Sequence, residues 1–194
     1  MKSKHSKGKD NLTNAILKQS SYSLVFPLTY LVNLSITQNK FLACWRTTRT
    51  IPLLKSPKAN KLDTLMYRPI SLSPVGSKLL EKVIAKQIHE YLNKHNILHN
   101  TQYGFRAKNR GSYLITDLMN KITQALAGGK KVLVTFLDFS KAFDTIPFEV
   151  FLKKIRHMGF SEETIEWFRT YLYDRHQYCE VNGTKSTVRQ VTCG

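Results

Sequence analysis

The 194-residue sequence predicts a mixed α+β fold on three observations. Apolar residues recur at helical spacing in several stretches, which is the mark of helices with one face against a core. Short apolar or β-branched runs lie between those stretches and read as strands. Near the C-terminal end, Asn182-Gly183 separates two such runs, a strong hairpin signal because both residues accept positive φ.

In chain order, residues 1–14 form a basic, polar segment expected to be mobile. A helical lead-in follows over 15–47, where Ile16, Leu17, Leu24, Val25, Leu28, Leu31 and Val32 mark two short helices or one broken near Pro27. The remainder, 48–194, reads as one domain. Thr48–Leu54 has strand composition, with Pro52 marking an edge or a bend. A Lys-, Pro-, Ser- and Asn-rich loop over 55–64 leads to the run Tyr67–Leu72.

The clearest helix spans Val75–Lys94, with Leu79, Leu80, Val83, Ile84, Ile88, Tyr91 and Leu92 on one stripe. A polar, basic loop over 99–111 precedes a second helix over 112–127, which Gly128-Gly129 stops. Lys131–Phe139 is apolar apart from Thr135 and Asp138 after its opening lysine, the pattern of a strand buried on both faces. Pro147 and Gly159 bracket another helix, and Ser161 caps one that runs to about Tyr173, with Glu162 and Glu163 in its first turn. Tyr178–Val181 and Ser186–Val191 are the arms of the hairpin.

Composition narrows the partner. Thirty Lys and Arg stand against 13 Asp and Glu, a formal net charge of +17, which on so small a chain points to an acidic partner such as nucleic acid. The charge is uneven. Residues 37–111 hold fourteen basic and three acidic side chains, 21–36 hold none, and 112–194 are nearly balanced with eleven against nine. Cys44, Cys179 and Cys193 are far apart and odd in number, which argues against a disulfide framework and for an intracellular setting, with nucleus and cytoplasm left open. No run approaches the eighteen or more apolar residues of a membrane helix, so no membrane partner is expected. His89, His95 and His99 do not share a helical face and have no cysteine nearby, which disfavours a zinc site.

Asp138 poses the main chemical question. A carboxylate at the end of a buried strand loses solvation and needs compensation. It serves either as a cap or loop acid, or as a ligand for a hard cation such as Mg²⁺, which takes a few carboxylates plus substrate phosphates. The residues around it bear on the choice. Leu137–Thr145 reads LDFSKAFDT and resembles the first catalytic motif of reverse transcriptases of non-long-terminal-repeat (LINE-type) retrotransposons. Ile51–Lys55 (IPLLK), Tyr67–Leu72 (YRPISL), Ser77–Val83 (SKLLEKV) and Gln102–Arg106 (QYGFR) resemble further motifs of that family, in its order. The resemblance covers about residues 8–194.

The resemblance implies right-hand polymerase fingers and an incomplete palm, truncated before the family's Asp-Asp hairpin. By it, Asp138 would be the catalytic metal-binding aspartate and Phe139 the neighbour whose backbone carbonyl helps hold a metal. Phe143 would lie under the incoming sugar and disfavour a 2′-hydroxyl; its plainer role is as a core residue. Lys55 and Arg68 would grip the triphosphate, for which a point charge and a planar fork are suited, although Lys55 could equally be a solvated loop lysine. Gln102, Tyr103, Gly104, Phe105 and Arg106 would form a loop near the template, with Tyr103 and Phe105 either stacking on bases or anchoring the loop. Asp144 reads as a helix-start acid without a metal role.

The implied partners are an RNA or DNA template-primer and deoxynucleoside triphosphates, and the implied cofactor is Mg²⁺. The reaction would be a two-metal nucleotidyl transfer by an RNA-directed DNA polymerase. Two ions require several carboxylates, and among Asp10, Asp63, Asp117, Asp138, Asp144 and Asp174 no two are adjacent. The chain alone is therefore expected to be inactive as a polymerase and to bind Mg²⁺ weakly. The alternative is a non-catalytic nucleic-acid-binding remnant that retains the basic stretch.

Overall fold

The computed structural model describes residues 7–106, 111–139 and 142–194, Phe143 in its backbone alone. The chain divides into two compact units, 1–83 together with 141–194, and 84–140. The fold is mixed α+β with a mixed sheet. In the first unit, α1 (Asn14–Gln19) and α2 (Ser21–Thr37) precede the strands β1 (Thr47–Leu54) and β2 (Tyr67–Leu72). The unit continues after residue 140 with α5 (Ala142–Thr145), α6 (Phe148–His157), α7 (Glu162–Leu172), β3 (His176–Val181), β4 (Thr184–Lys185) and β5 (Arg189–Gln190). The helix α3 (Val75–Lys94) crosses from the first unit into the second, which also contains α4 (Gly111–Ala127). Among the described residues, no helix is long and apolar enough to cross a membrane.

The sheet runs β2-β1-β3-β4, with β5 also paired to β3. β1 pairs antiparallel with β2 from Arg49↔Leu72 to Leu54↔Tyr67, and parallel with β3 only over Thr47–Thr50. Pro52 thus sits where β1 has a neighbour on one side alone, the edge position that a residue without an N–H requires. It faces Pro69 across the hairpin. Lys55 N–H donates to the Met66 carbonyl at 2.9 Å, so bonded pairs alternate through Leu53↔Arg68 and leave Pro52↔Pro69 as a non-bonded pair. Two prolines can face each other only there.

The core of the first unit lies where α2, α3 and α7 supply their buried side chains: Val32, Val75, Leu80, Ile165, Trp167 and Phe168. An aromatic cluster organises it. Phe41 meets Trp167 edge-on at 5.9 Å and Tyr171 at 5.0 Å, while Trp167 and Tyr171 stack at 5.4 Å. The indole N–H of Trp167 donates to Ser35 Oγ at 3.0 Å, and that hydroxyl donates to the Lys40 carbonyl at 2.6 Å, so the buried polar atoms are satisfied in sequence. α6 adds Phe148, Leu152 and Ile155 on the face its spacing predicts. Gly159 (φ 82°) then ends the turn and Ser161 caps α7 by accepting from Thr164 N–H.

Three sequence expectations change. The break in the lead-in falls at Ser20, between α1 and α2, and Pro27 lies inside α2. The hydrogen bond that Pro27 cannot make frees the Ser23 carbonyl on an exposed stretch, where water can take it. Lys131–Phe139 is not a strand and is not buried: Leu133 is 92% and Leu137 91% exposed. Strand composition makes a strand only when a neighbour supplies the ladder, and among the described residues no strand pairs with this segment. The solvation cost assigned to a buried Asp138 accordingly does not arise, because Asp138 is exposed. Finally, the hairpin arm opposite β3 begins earlier, at Thr184–Lys185, and continues through Ser186, whose N–H donates to the Cys179 carbonyl at 2.9 Å, while further along the run Arg189–Gln190 forms a separate short strand on β3.

The segment before α1 is tied to α3. Asp10 Oδ2 accepts from Val75 N–H at 2.8 Å, capping α3 across 65 residues, and a Cβ on Gly8 would stand 2.7 Å from the Ser73 carbonyl oxygen.

Candidate nucleotide and nucleic-acid site

Lys55 and Arg68 come together through strand register. Arg68 lies opposite Leu53, and Lys55 is two residues further along the same strand direction, so both side chains leave the same face of the β1–β2 hairpin. Diagonal neighbours of this kind stand roughly 7–8 Å apart, somewhat less at Cβ, a separation that two long cations can close around one polyphosphate. Both are exposed, and Leu53 and Ile70 on the same face are exposed too. The face is anchored further along by Arg49, whose guanidinium reaches Glu180 on β3 at 3.4 Å. The hairpin loop is self-braced: Asp63 caps the short 3₁₀ turn Thr64–Met66 by accepting from Leu65 N–H at 2.8 Å, and Tyr67 Oη donates to the Lys61 carbonyl.

The second unit holds the loop Gln102–Arg106 together with Asp138 and Phe139. Tyr103 is half-buried and donates its hydroxyl to Asp117 on α4 at 3.1 Å, while Lys121 reaches the same carboxylate oxygen at 2.7 Å. The Lys121 ammonium and the Tyr103 hydroxyl hold the Asp117 carboxyl below its ordinary value, and the carboxylate in turn raises the Tyr103 phenol. The Tyr103 hydroxyl thus ties the loop to α4. Phe105 is different: its backbone is left-handed (φ 58°) and its ring is 83% exposed. Its carbonyl accepts from His89 on α3. Arg106 donates to the His99 carbonyl at 3.1 Å, which curls the loop end back on itself.

Asp138 and Phe139 lie on the exposed segment after α4, with Phe139 85% exposed. Among the described residues no group of three or more His, Cys, Asp or Glu is placed to hold a metal ion. A single exposed carboxylate does not meet the ligand demand of Mg²⁺, which sheds water reluctantly. Phe143 belongs to α5, and its side chain lies outside the described residues. Asp144, also on α5, is exposed, and its carbonyl accepts from the Cys193 thiol at 3.1 Å. Sequence reasoning missed His89 as a loop partner, because nothing in the spacing of 89 and 105 marks the pair.

These motifs fall within a recognised family. The reverse transcriptase (RNA-dependent DNA polymerase) family profile matches residues 56–194, taking in Arg68, the 102–106 loop, Asp138, Phe139 and Phe143, with Lys55 one residue ahead. The chain belongs to that family. Within it, the likeness is to the polymerases of mobile elements, so this is a partial reverse transcriptase domain of the retrotransposon type. It is 27% identical over 191 residues to the "Probable RNA-directed DNA polymerase from transposon BS" of Drosophila melanogaster, covering 98% of this chain and 21% of the relative. It is 29% identical over 164 residues to a protein of the same fly described as a 115 kDa protein in type-1 retrotransposable element R1DM, covering 84% and 15%. The RNA-directed DNA polymerase from mobile element jockey, also of Drosophila melanogaster, is 23% identical over 191 residues, covering 98% and 21%. The chain thus spans about a fifth or less of the length of these relatives.

Proposed function

We propose that residues 48–194 are the fingers and the first part of the palm of a retrotransposon RNA-directed DNA polymerase, preceded by a helical lead-in over 15–47 and a basic segment over 1–14. The whole protein would extend a primer on an RNA or DNA template. In this chain, Lys55 and Arg68 grip the triphosphate of an incoming deoxynucleotide and Phe143 lies beneath its sugar. Residues Gln102, Tyr103, Gly104, Phe105 and Arg106 meet the template. The observation that carries this reading is the register of the β1–β2 hairpin, which gives two motif cations one open face.

Asp138 and the Phe139 carbonyl would contribute to a Mg²⁺ site whose further carboxylates are not gathered among the described residues. The chain binds, and alone it does not polymerise. The charge of residues 37–111 supports the same reading, since phosphate contacts dominate such binding.

The test is binding of a labelled deoxynucleoside triphosphate by fluorescence anisotropy, with primer extension run beside it. Charge-assisted contacts are worth about 1.5–3 kcal/mol each, so Lys55→Ala with Arg68→Ala should weaken triphosphate binding at least about tenfold. Unchanged affinity would remove the hairpin from the site. Template-primer affinity should fall steeply with salt, and no extension should be seen. Extension that Asp138→Ala abolishes would show that the chain is a polymerase by itself. Binding to template-primer without any triphosphate binding would favour the non-catalytic remnant.

A further inference from the structure

His89 stands on α3 with both ring nitrogens against backbone carbonyls, Nδ1 at 2.7 Å from Ala85 O and Nε2 at 2.9 Å from Phe105 O. Carbonyl oxygens only accept. A neutral imidazole carries one N–H and can donate to one of them, whereas the imidazolium donates to both. His157 shows the contrast: its Nδ1 meets only the Lys153 carbonyl, at 2.8 Å, so a single N–H suffices. The second carbonyl at His89 belongs to a residue whose left-handed backbone is uncommon for a side chain other than glycine and needs to be held.

We propose that His89 is a positioning residue that latches the 102–106 loop, closed as the imidazolium and released at the Phe105 end as the neutral ring. The inference rests on the reading of that loop as a template-facing surface. The consequence of closure is that the exposed Phe105 ring and its strained backbone are fixed before nucleic acid arrives, so the ordering is not charged against binding.

The surrounding groups leave the two carbonyls in control. On α3 the titratable neighbours are Lys86, Glu90 and His95, and Lys86 is paired with Glu90 at 3.7 Å. On the loop they are His99, Tyr103 and Arg106, engaged respectively with Thr101 Oγ1, Asp117 and the His99 carbonyl. The Ala85 carbonyl first, then the Phe105 carbonyl, raise the His89 pKa above its ordinary 6.5 against a smaller opposing effect of burial, and among the described residues no charged side chain contributes. The sign follows. The latch is complete below about pH 6.5 and is lost as pH rises through the raised value.

The experiment uses the full chain with ¹⁵N-labelled histidine and a labelled single-stranded uridine 20-mer RNA, from pH 5.5 to 8.5. The expected result has both His89 nitrogens protonated at low pH, a midpoint above 6.5, and backbone signals of Phe105 and Arg106 moving with that midpoint. RNA affinity should drop about fivefold across it, the worth of one net hydrogen bond, in excess of any change in His89→Gln. A singly protonated ring throughout, or loop signals that titrate alike in the wild type and His89→Gln, overturns the latch. Loop signals that follow His89 while RNA affinity stays level with His89→Gln overturn its positioning role in binding. If RNA binds at no pH, the template reading fails, and the ring and loop signals still decide the latch.

Discussion

Gly76 stands in the first turn of α3 against the indole of Trp45, where an added Cβ would lie 2.3 Å from Cζ2 and 2.6 Å from Cε2. Two effects oppose each other at this position. Alanine in a helix is favoured over glycine by about 0.8–1.0 kcal/mol, while forcing a methyl into a packed site costs about 1–3 kcal/mol. Trp45 has Phe41 beside it and cannot simply swing away, so the steric effect should win. Gly76→Ala is expected to lower the urea midpoint, by up to about 2 kcal/mol of stability, with an unchanged slope. A midpoint that stays or rises would mean that the indole moves freely. The sequence gives no hint of this contact, since Gly76 reads as a helix-start residue and Trp45 lies thirty-one residues earlier. Asp10 is hidden in the same way: the cap of a helix is sought in the residues just before it, and α3 takes its cap from a segment distant in the chain.

At the scale of elements, what could be read in advance is whatever a segment decides by itself. α3 spans Val75–Lys94 and α4 Gly111–Ala127, as their stripes require, and α7 begins at the Ser161 cap. The Asn182-Gly183 turn has φ of 49° and 83°, as its type demands. The segment 131–139 failed because a strand is a property of two segments, and composition describes one. The site divides along the same line. Motifs name Lys55 and Arg68, but only register puts them on one face, and no motif names His89. The α6–α7 pair carries a prediction of its own. Glu149 on α6 accepts from Tyr173 Oη at 2.5 Å and from Arg169 at 3.3 Å. These, the tyrosine hydroxyl foremost, hold its carboxyl below the ordinary 4.5. Arg156 holds Glu162 down likewise through two bonds of 2.7 and 2.8 Å. A depressed carboxyl stabilises the fold above its unfolded value and loses that contribution as pH falls through the folded one. The melting-temperature gap between wild type and Tyr173→Phe should therefore be widest near neutrality and narrow below pH 4.5. A gap that stays constant to pH 3 would show that the hydroxyl acts through packing alone.

Across the whole chain, burial is unequally shared. Among the described residues every buried apolar side chain, from Val32 to Tyr178, belongs to the first unit. The second has none: α4 shows Ile115, Met119 and Leu126 to solvent, and the segment after it shows Leu133, Phe136 and Leu137. The ties described there include helical hydrogen bonds, the Tyr103–Asp117–Lys121 brace and the His89 bond to Phe105. A helix of α4's seventeen residues is marginal in water without a packed face, so these polar ties cannot match the aromatic cluster of the first unit. Stability should accordingly be graded along the chain. Native-state hydrogen exchange is expected to find α7 amides opening only with global unfolding, and α4 amides opening at a much smaller free energy and with little denaturant dependence. Asp117→Asn, which weakens the brace, should accelerate exchange in α4 and leave α7 alone. If α4 and α7 instead exchange with one common free energy, the chain unfolds as a single cooperative body and the polar ties of the second unit are stronger than their exposure allows.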